Sequence, residues 1–208
     1  MHKHHSALGL AIASRPVQPV TLIRPHAARR AARFFVERFP GKSMYAVKAN
    51  PSPELLKVLW DSGVTHYDVA SIAEVRLVAK TLPQAVLCFM HPVKAEEAIA
   101  EAYFDYGVKT FSLDTIEELE KIKRATRNAS DLNLLVRLRV SSDHSKLSLA
   151  SKFGAEPHEV KQLLMAARQA SDALGLCFHV GSQAMSPAAY GDAMQRVRNA
   201  IVEAADTV

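Results

Sequence analysis

The chain has 208 residues, of which 49% are hydrophobic and 23% are charged, a balance that excludes a disordered or collagen-like protein. No run reaches the roughly 18 apolar residues of a membrane span, so we expect no membrane partner. The two distant cysteines supply neither a disulfide framework nor a zinc site, so we expect a cytoplasmic protein without a metal. The net charge is +5, but the first 40 residues hold seven Lys and Arg against one Glu, and the nearly neutral remainder argues against nucleic-acid binding.

Residues 1–17 are predicted to be a basic leader in front of the folded part of the chain, residues 18–208. The run from His2 to His5, followed by an apolar stretch over 7–13, loosely imitates a secretory signal, and the Arg-rich, acid-poor start also suits a transit peptide. No cleavage pattern is clear. We therefore favour a solvated leader and the polar face of a first helix, and the role of the first 40 residues stays open.

From residue 20 onward, short apolar runs alternate with amphipathic segments. The run Val20–Ile23 precedes a helix predicted near 26–38, which stops at Pro40-Gly41. Six strands are predicted after it, at 43–47, 66–70, 86–89, 108–113, 132–140 and 176–180. A helix is predicted after each strand: from Pro53 to Gly63, through Val75 to before Pro83, over 94–106, from Asp114 through Ile122, from Pro157 through Ala167, and from Ser186 almost to Val208.

Two helix starts carry specific capping signals. Asp114 with Glu117 three residues later is an Asp version of the capping box, which predicts that Asp114 is the N-cap. Ser186 and Pro187 have the residue types of an N-cap and a first helical position. The two pairs therefore predict helices that begin directly after them.

Alternating strands and helices predict a parallel sheet with helices outside. The sequence has no Gly-x-Gly-x-x-Gly loop, no Walker phosphate loop and no His-Glu-x-x-His helix, so a (β/α) barrel is the remaining candidate. A (β/α)₈ TIM barrel needs about 250 residues, and six units occupy this chain. We therefore expect an incomplete barrel, the N-terminal part of a longer protein; a complete, open six-stranded α/β sandwich is the alternative.

Function in a parallel barrel is located at the C-terminal ends of the strands. Lys48 ends the first predicted strand, where partial desolvation would favour a neutral amine that can form a Schiff base; the alternative is a lysine that extends to the solvent at the rim. His179 leads into Gly181-Ser182, whose amides can cradle a phosphate, although a lone histidine is also common in a protein core.

Three further charged residues lie at or near these strand ends. Asp68 and Glu74 are candidates for acid–base or orienting groups, or else are ordinary surface charges. Strand five carries Arg137 and Arg139, and we select Arg139, at the strand end, as a guanidinium that needs an anion or another acceptor.

The strand ends also carry a set of longer motifs, which together resemble one family. The chain is similar to the fold-type III pyridoxal-phosphate (PLP) decarboxylases of ornithine, lysine, diaminopimelate and arginine. The motifs follow the family's order over residues 18–208: Tyr-Ala-Val-Lys-Ala-Asn-Pro at 45–51, Tyr-Asp-Val-Ala-Ser-Ile-Ala-Glu at 67–74, His-Pro-Val-Lys at 91–94, Thr-Phe-Ser-Leu-Asp at 110–114, Arg-Leu-Arg-Val at 137–140, Ser-Lys-Phe-Gly at 151–154 and Phe-His-Val-Gly-Ser-Gln at 178–183.

The resemblance implies a role for each candidate residue. Lys48 matches the catalytic lysine that holds PLP as a Schiff base, His179 matches the histidine that stacks on the pyridine face, and Ser182 matches a phosphate-loop serine. The remaining cofactor-binding residues, Asp68, Glu74 and Arg139, match residues that hold the lysine and the ring in place. No metal is implied.

The resemblance also implies an activity and an assembly. The motifs look most like ornithine decarboxylases, which convert L-ornithine to putrescine in polyamine biosynthesis and are homodimers with a C-terminal β domain. That domain, the family's glycine-rich phosphate loop and its catalytic cysteine would lie beyond residue 208, so we expect the isolated chain to be inactive. Lysine or diaminopimelate decarboxylation, a non-catalytic PLP-binding barrel and an antizyme-inhibitor-like relative without PLP are the alternatives.

Overall fold

The protein is a curled sheet of six parallel strands with helices on its outer side. The structure is a computed structural model that describes residues 6–140, 145–147, 152–184 and 186–206. The strands are β1 Met44–Ala46, β2 His66–Val69, β3 Val86–Phe89, β4 Thr110–Leu113, β5 Asn133–Leu138, β6 Ser145–Leu147, β7 Ala173–Phe178 and β8 Ser182–Ala184. The helices are α1 Ala7–Ser14, α2 Pro25–Arg38, α3 Pro53–Trp60, α4 Ile72–Thr81, α5 Glu96–Phe104, α6 Ile116–Ala125, α7 Pro157–Arg168 and α8 Ala188–Ala204.

The order of the main sheet is β1-β2-β3-β4-β5-β7, and every neighbouring pair is parallel. This sequential order confirms the prediction of an incomplete (β/α)₈ barrel with six strand–helix units. It follows from short strands joined by helical crossovers, which place each new strand beside the previous one. The strands β6 and β8 form a separate antiparallel pair that the sequence did not predict.

The core lies between the sheet and the helices. Along β2, β3, β4 and β5, the alternate side chains that point outward are buried, in keeping with the two-residue period of a strand. They pack against buried apolar residues of the helices, and each such side chain contributes roughly 1.5–3 kcal/mol. The outward set comprises Tyr67, Val69, Phe89, Phe111, Leu113, Leu134, Val136 and Leu138.

The other face of the sheet is more polar and lines the inside of the curl. Register pairs Asp68 with Cys88, Cys88 with Thr110, and Arg137 with Cys177 on this face. The side chain of Leu135 also lies there, opposite Gly175, where an added Cβ would come within 2.6 Å of the Leu135 Cδ2 atom. The inner face thus carries most of the chemically reactive side chains of the strands.

Local predictions at the helix starts needed correction. The helix after β4 begins at Ile116, and its N-cap is Thr115, whose Oγ1 accepts from the backbone N–H of Glu118 at 3.2 Å. Asp114 is therefore not the cap, because its carboxylate instead accepts from the backbone N–H of Gly154 at 2.8 Å. At α8 the start is shifted by one residue: Ser186 Oγ accepts from Ala188 N, and Pro187 is the residue before the helix.

The N-terminal region also differs from expectation. Residues of the predicted leader form α1, which has no buried residue and begins where Ser6 Oγ accepts from the N–H of Gly9 at 2.9 Å. The apolar run Val20–Ile23 forms no strand. His2 to His5 and Val208 lie outside the described residues. Within the described ranges, the structure contains no helix that is both long and apolar enough to cross a membrane.

Candidate active site

The C-terminal ends of the parallel strands bring several predicted residues to one edge of the sheet. Asp68 lies on the inner face of β2, Lys48 follows β1, Glu74 lies in α4 directly after β2, and His179 follows β7. The charge of Lys48 acts on both Asp68 and His179. The structure therefore brings Lys48, Asp68, Glu74 and His179 to one region.

Asp68 is a carboxylate in a mixed environment. Burial raises the pKa of the Asp68 carboxyl, and the Glu74 carboxylate adds to this rise, whereas Lys48, Arg137 and His91 oppose it. The side chain accepts no hydrogen bond from any residue that the structure describes. Asp68 is therefore held by charge rather than by a fixed hydrogen-bond partner.

Lys48 does not lie in the strand. β1 ends at Ala46, and Lys48 lies in a 3₁₀ turn over Val47–Ala49 with an exposed side chain. The predicted desolvation is therefore wrong for this structure, because Lys48 lies beyond the end of β1, in a turn with an exposed side chain. The ammonium makes no hydrogen bond or ion pair with a described residue, and its charge acts on the Asp68 carboxylate.

Glu74 fixes the loop that follows Asp68. Its Oε2 atom accepts from the backbone N–H of Ala70 at 2.8 Å, and its own N–H donates to the Ser71 Oγ at 3.3 Å. This nearly reciprocal arrangement caps the N-terminus of α4. Glu74 thus acts on the site through the backbone at the end of β2.

The ring of His179 is oriented by the turn that follows it. Its Nδ1 atom accepts from the backbone N–H of Gly181 at 2.9 Å, and Gly181 has a φ of 96°, a conformation that favours glycine. Partial desolvation and the cations of Arg137 and Lys48 lower the pKa of His179. A neutral ring with its proton on Nε2 is therefore the form that this geometry favours at neutral pH.

The two other predicted residues have different surroundings. Arg139 donates from Nε to the Gly154 carbonyl oxygen at 3.1 Å, and its Nη1 atom lies 2.5 Å from Glu156 Oε1. The anion that Arg139 needs is therefore supplied by the protein itself. Ser182 begins β8 and pairs with Leu147 of β6, so it belongs to the small antiparallel pair beside the main sheet.

A segment at 152–156 folds back on the end of β5, and we refer to residues 152–156 as the strap. Ala155 forms a parallel bridge with Leu138, and Gly154 has a φ of 98°. A Cβ at Gly154 would lie 2.6 Å from the Arg139 backbone nitrogen, so only glycine allows this close approach. The strap is thus pinned through backbone contacts and through the Asp114 carboxylate.

The strap carries Phe153, which sequence reasoning did not select. The Phe153 ring lies 5.4 Å from the His91 ring in an edge-on arrangement, and the Arg137 guanidinium lies 5.3 Å from the Phe153 centroid. Arg137 was visible in the sequence as the other arginine of the predicted strand five, two residues before Arg139. The alternation along β5, which buries Val136 and Leu138, was the signal that placed it on the inner face.

Beside the site lies a buried charge cluster. The ammonium of Lys94 donates to the carbonyl oxygens of His91 and Ser112 at 2.9 and 2.7 Å and lies 2.9 Å from Glu118 Oε1. Lys121 also contacts Glu118, at 2.6 Å. Lys94 thereby ties the loop that carries His91 to β4 and α6.

Both thiols lie on the inner face. Desolvation raises the pKa of Cys88, and it raises the pKa of Cys177 to about 12. Protonated thiols are poor nucleophiles, so neither residue is a candidate for covalent catalysis at neutral pH.

Comparison with known proteins gives consistent matches. The family described as pyridoxal-dependent decarboxylase, pyridoxal binding domain, matches residues 25–208. A lysine/ornithine decarboxylase of Selenomonas ruminantium is 38% identical over 162 residues, which are 77% of this chain and 40% of that protein. An ornithine decarboxylase of Panagrellus redivivus is 36% identical over 156 residues, which are 74% of this chain and 35% of that protein.

The solved structures agree with the sequence matches. A crystal structure of a mutant of SrLDC in complex with PLP superposes with a TM-score of 0.85 and 32% identity, over 98% of this chain and 53% of that one. The Paramecium bursaria Chlorella virus arginine decarboxylase bound to agmatine gives a TM-score of 0.79 and 30% identity, over 88% and 50%. The chain thus spans about half of these structures and 40% or less of the two curated relatives.

Proposed function

Because the chain belongs to the pyridoxal-dependent decarboxylases, through their pyridoxal-binding domain, we propose that it is the PLP-binding barrel of an enzyme that decarboxylates a basic amino acid. The observation that carries this proposal is that Lys48, Asp68 and His179 follow or end parallel strands at the same edge of the sheet, where the charge of Lys48 acts on both other groups. In this proposal residues 18–208 are the barrel, residues 1–17 are a leader, and a C-terminal β domain completes the enzyme.

The residues present suit PLP. Lys48 offers a primary amine that no described residue binds, and the inner face beside it carries a carboxylate and an imidazole rather than a closed apolar core. When bound, PLP supplies an aldehyde that reacts with amines and a pyridine ring that accepts the electron pair left by departing CO₂. Lys48 would hold the aldehyde carbon, and His179 would lie against the ring.

The protein's own groups then have defined tasks. Asp68 attracts the Lys48 ammonium and can take up or return its proton, because the charge of Lys48 acts on Asp68 and no described residue donates a hydrogen bond to that carboxylate. His179, fixed through Nδ1 by Gly181, presents a flat neutral ring. Glu74 and Arg139 act as positioning residues through Ala70 and the strap, and Ser182 is proposed as a hydroxyl donor to the cofactor's phosphate.

We propose L-ornithine as the substrate and putrescine as the product. Ornithine decarboxylases of a nematode and a yeast are among the relatives, at 36% and 33% identity. One relative is instead named antizyme inhibitor 2, at 34% identity over 175 residues, so family membership alone does not decide activity. A homodimeric, cytoplasmic enzyme is part of the same proposal.

The test is covalent labelling of the protein. PLP is added, the product is reduced with borohydride, and peptides are read by mass spectrometry. We expect the label on Lys48 and its loss in Lys48→Ala, because this lysine follows β1 at the strand ends and its charge acts on Asp68. Lys57→Ala, which removes an exposed helical lysine, is the matched control and should leave the label unchanged. A label on Lys42, Lys57 or Lys94 instead would refute the assignment.

Decarboxylation is measured separately, on the complete protein that contains this barrel. Release of labelled CO₂ from carboxyl-labelled L-ornithine, L-lysine, meso-diaminopimelate and L-arginine ranks the substrates. Ornithine should give the highest kcat/KM. Labelling of Lys48 without CO₂ release from any of the four would identify a non-catalytic PLP-binding barrel.

A further inference from the structure

Lys94 is a lysine whose side chain is completely buried, with 0% of its surface exposed. It lies in the loop between β3 and α5. Its ammonium is 2.9 Å from the His91 carbonyl oxygen and 2.7 Å from the Ser112 carbonyl oxygen, and it is 2.9 Å from Glu118 Oε1. These three oxygens equal in number the three N–H donors of an ammonium. The head of Lys94 is therefore fixed between its own loop, β4 and α6.

The pair of Lys94 and Glu118 does more than fill space. A buried ion pair contributes little net stability, because both charges lose their hydration, and apolar residues of similar volume often stabilise a protein as well or better. Apolar side chains, however, cannot donate hydrogen bonds to backbone carbonyl groups. Lys121 extends the set of such bonds, since its ammonium donates to the Lys94 carbonyl oxygen at 2.7 Å and contacts Glu118 Oε2 at 2.6 Å. The charges therefore determine where the backbone of the loop lies.

This loop lies at the C-terminal edge of the sheet, between the ends of β2 and β4. The N–H of Met90 donates to the Val69 carbonyl oxygen at 3.1 Å. The Met90 carbonyl oxygen accepts from the Ser112 Oγ at 2.6 Å. The two neighbouring strands thus hold Met90, and Lys94 holds the next residue, His91, through its carbonyl oxygen.

The ring of His91 connects this loop to the strap. Its Nδ1 atom donates to the Val93 carbonyl oxygen at 2.6 Å, which holds the side chain against the backbone of its own loop. The ring packs edge-on against the Phe153 ring, with the centroids 5.4 Å apart and an angle of 80° between the planes. The Phe153 ring in turn contacts the Arg137 guanidinium of β5 at 5.3 Å. Direct contacts therefore lead from the ammonium of Lys94 to the inner face of the sheet.

We propose that Lys94 is a positioning residue of the candidate site: its ammonium holds the His91 carbonyl oxygen and thereby sets the His91 ring against Phe153 of the strap. The two rings are then held in one place at the strand edge that also carries Asp68, because β2 and β3 are neighbours. The inference rests on the proposed function only for the identity of the site, since the contacts of Lys94 do not depend on bound PLP.

The test is the contact between the two rings in the protein without added PLP. An NOE between the ring protons of His91 and Phe153 is measured by NMR, and His91→Gln identifies the histidine signal. Lys94→Met/Glu118→Leu replaces the buried pair by apolar residues, which keeps the space filled and removes the tether. We expect this variant to fold and to lose the NOE.

Two further variants complete the test. Lys123→Met/Glu120→Leu makes the same change at a more exposed ion pair of α6, so this matched control should keep the NOE. Lys94→Arg keeps the cation that Glu118 needs but replaces a compact ammonium by a planar guanidinium. It should weaken the NOE, and it decides the question if the double variant at Lys94 does not fold. An unchanged NOE in every folded Lys94 variant, or an equal loss in the control, would overturn the proposal.

Labelling with PLP separates this inference from the proposed function. If Lys48 of the unmodified protein takes up PLP, Lys94→Met/Glu118→Leu should slow its labelling by about tenfold, because a misplacement of about 1 Å can cost roughly 100-fold. An unchanged rate would show that the two rings are not part of the site and would overturn the inference. If the unmodified protein takes up no label, the proposed function fails, whereas the NOE still decides the role of Lys94.

Discussion

Replacement of Gly154 by alanine tests how the strap is held. Gly154 has a φ of 98°, and an added Cβ would lie 2.6 Å from the Arg139 nitrogen and 2.7 Å from its Cα. Backbone atoms at the end of β5 cannot move aside as a flexible side chain does. The substitution must therefore shift the strap, and with it the hydrogen bond from Gly154 N–H to Asp114.

The expected size of the effect follows from two costs. A side chain in the left-handed region costs about 1–2 kcal/mol, and overpacking of a tight contact costs about 1–3 kcal/mol. Gly154→Ala should therefore lower the free energy of unfolding by about 2–5 kcal/mol. This is a large share of the roughly 5–15 kcal/mol that stabilises an ordinary domain.

Two other glycines separate these costs. Gly107 has a φ of 66° and no atom within 4 Å of an added Cβ, so Gly107→Ala should cost about 1–2 kcal/mol from the backbone alone. Gly175 has no positive φ, and its added Cβ meets the far end of Leu135, also at 2.6 Å. Because the half-buried Leu135 side chain can rotate, we expect Gly175→Ala to cost about 1 kcal/mol or less.

The assay is urea unfolding followed by circular dichroism, and the variants are compared where the free energy of unfolding has the same slope against urea concentration. The expected order of destabilisation is Gly154→Ala first, then Gly107→Ala, then Gly175→Ala. The mobility of Phe153 should also increase in Gly154→Ala alone. Equal losses in Gly154→Ala and Gly107→Ala would show that the close approach to Arg139 contributes nothing and would refute the reasoning.

Three further predictions concern charge and association. Lys94→Met leaves the buried Glu118 with one cation and should destabilise the protein by about 3–5 kcal/mol at neutral pH. Burial lowers the pKa of Lys94, so between that pKa and the ordinary 10.5 the unfolded chain binds more protons than the folded protein does. The stability of the unmodified protein should therefore rise with pH through this range. Urea midpoints measured across the range should show that Lys94→Met lacks the rise. The raised pKa of Asp68 has the opposite effect: stability falls as pH rises from the ordinary 3.8 through the raised value. The thermal midpoint of Asp68→Asn, relative to that of the unmodified protein, should therefore be higher at pH 8 than at pH 4. The same difference between the two proteins at both pH values would contradict this. Phe35 and Phe39 are exposed around a groove of about 520 Å³ beside β1, so the 208-residue chain should self-associate in a sedimentation experiment. Replacement of both residues by Asp should reduce this association. A monodisperse monomer of the unmodified chain would refute the prediction.

The six strands of the main sheet, their parallel order and the outer helices could be predicted because they depend on local patterns. Two-residue alternation and helical periodicity are written in neighbouring residues, and the connections leave few other topologies. The cap of α6 could not be predicted in the same way. Asp114 and Thr115 both suit an N-cap, and the choice depends on Gly154, which lies 40 residues away in the chain.

The candidate site was predictable in part, for the same reason. Lys48, Asp68 and His179 could be selected because each lies at or near the end of a strand, and parallel strands end on one edge. The exposure of Lys48 was not predictable, since it depends on which segments of the folded chain pack around the end of β1.

The sequence by itself determined the alternation of elements and the residue types at the strand ends, because both are properties of short stretches of chain. Arg137 and Arg139 show what it left open: they lie two residues apart, within β5 and directly after it, so the two-residue period of a strand does not distinguish them. Only the tertiary structure decided between them, because the folded-back strap gives Arg139 the carboxylate of Glu156 and gives Arg137 the ring of Phe153. Contacts between distant segments set the charge that remains available on the inner face.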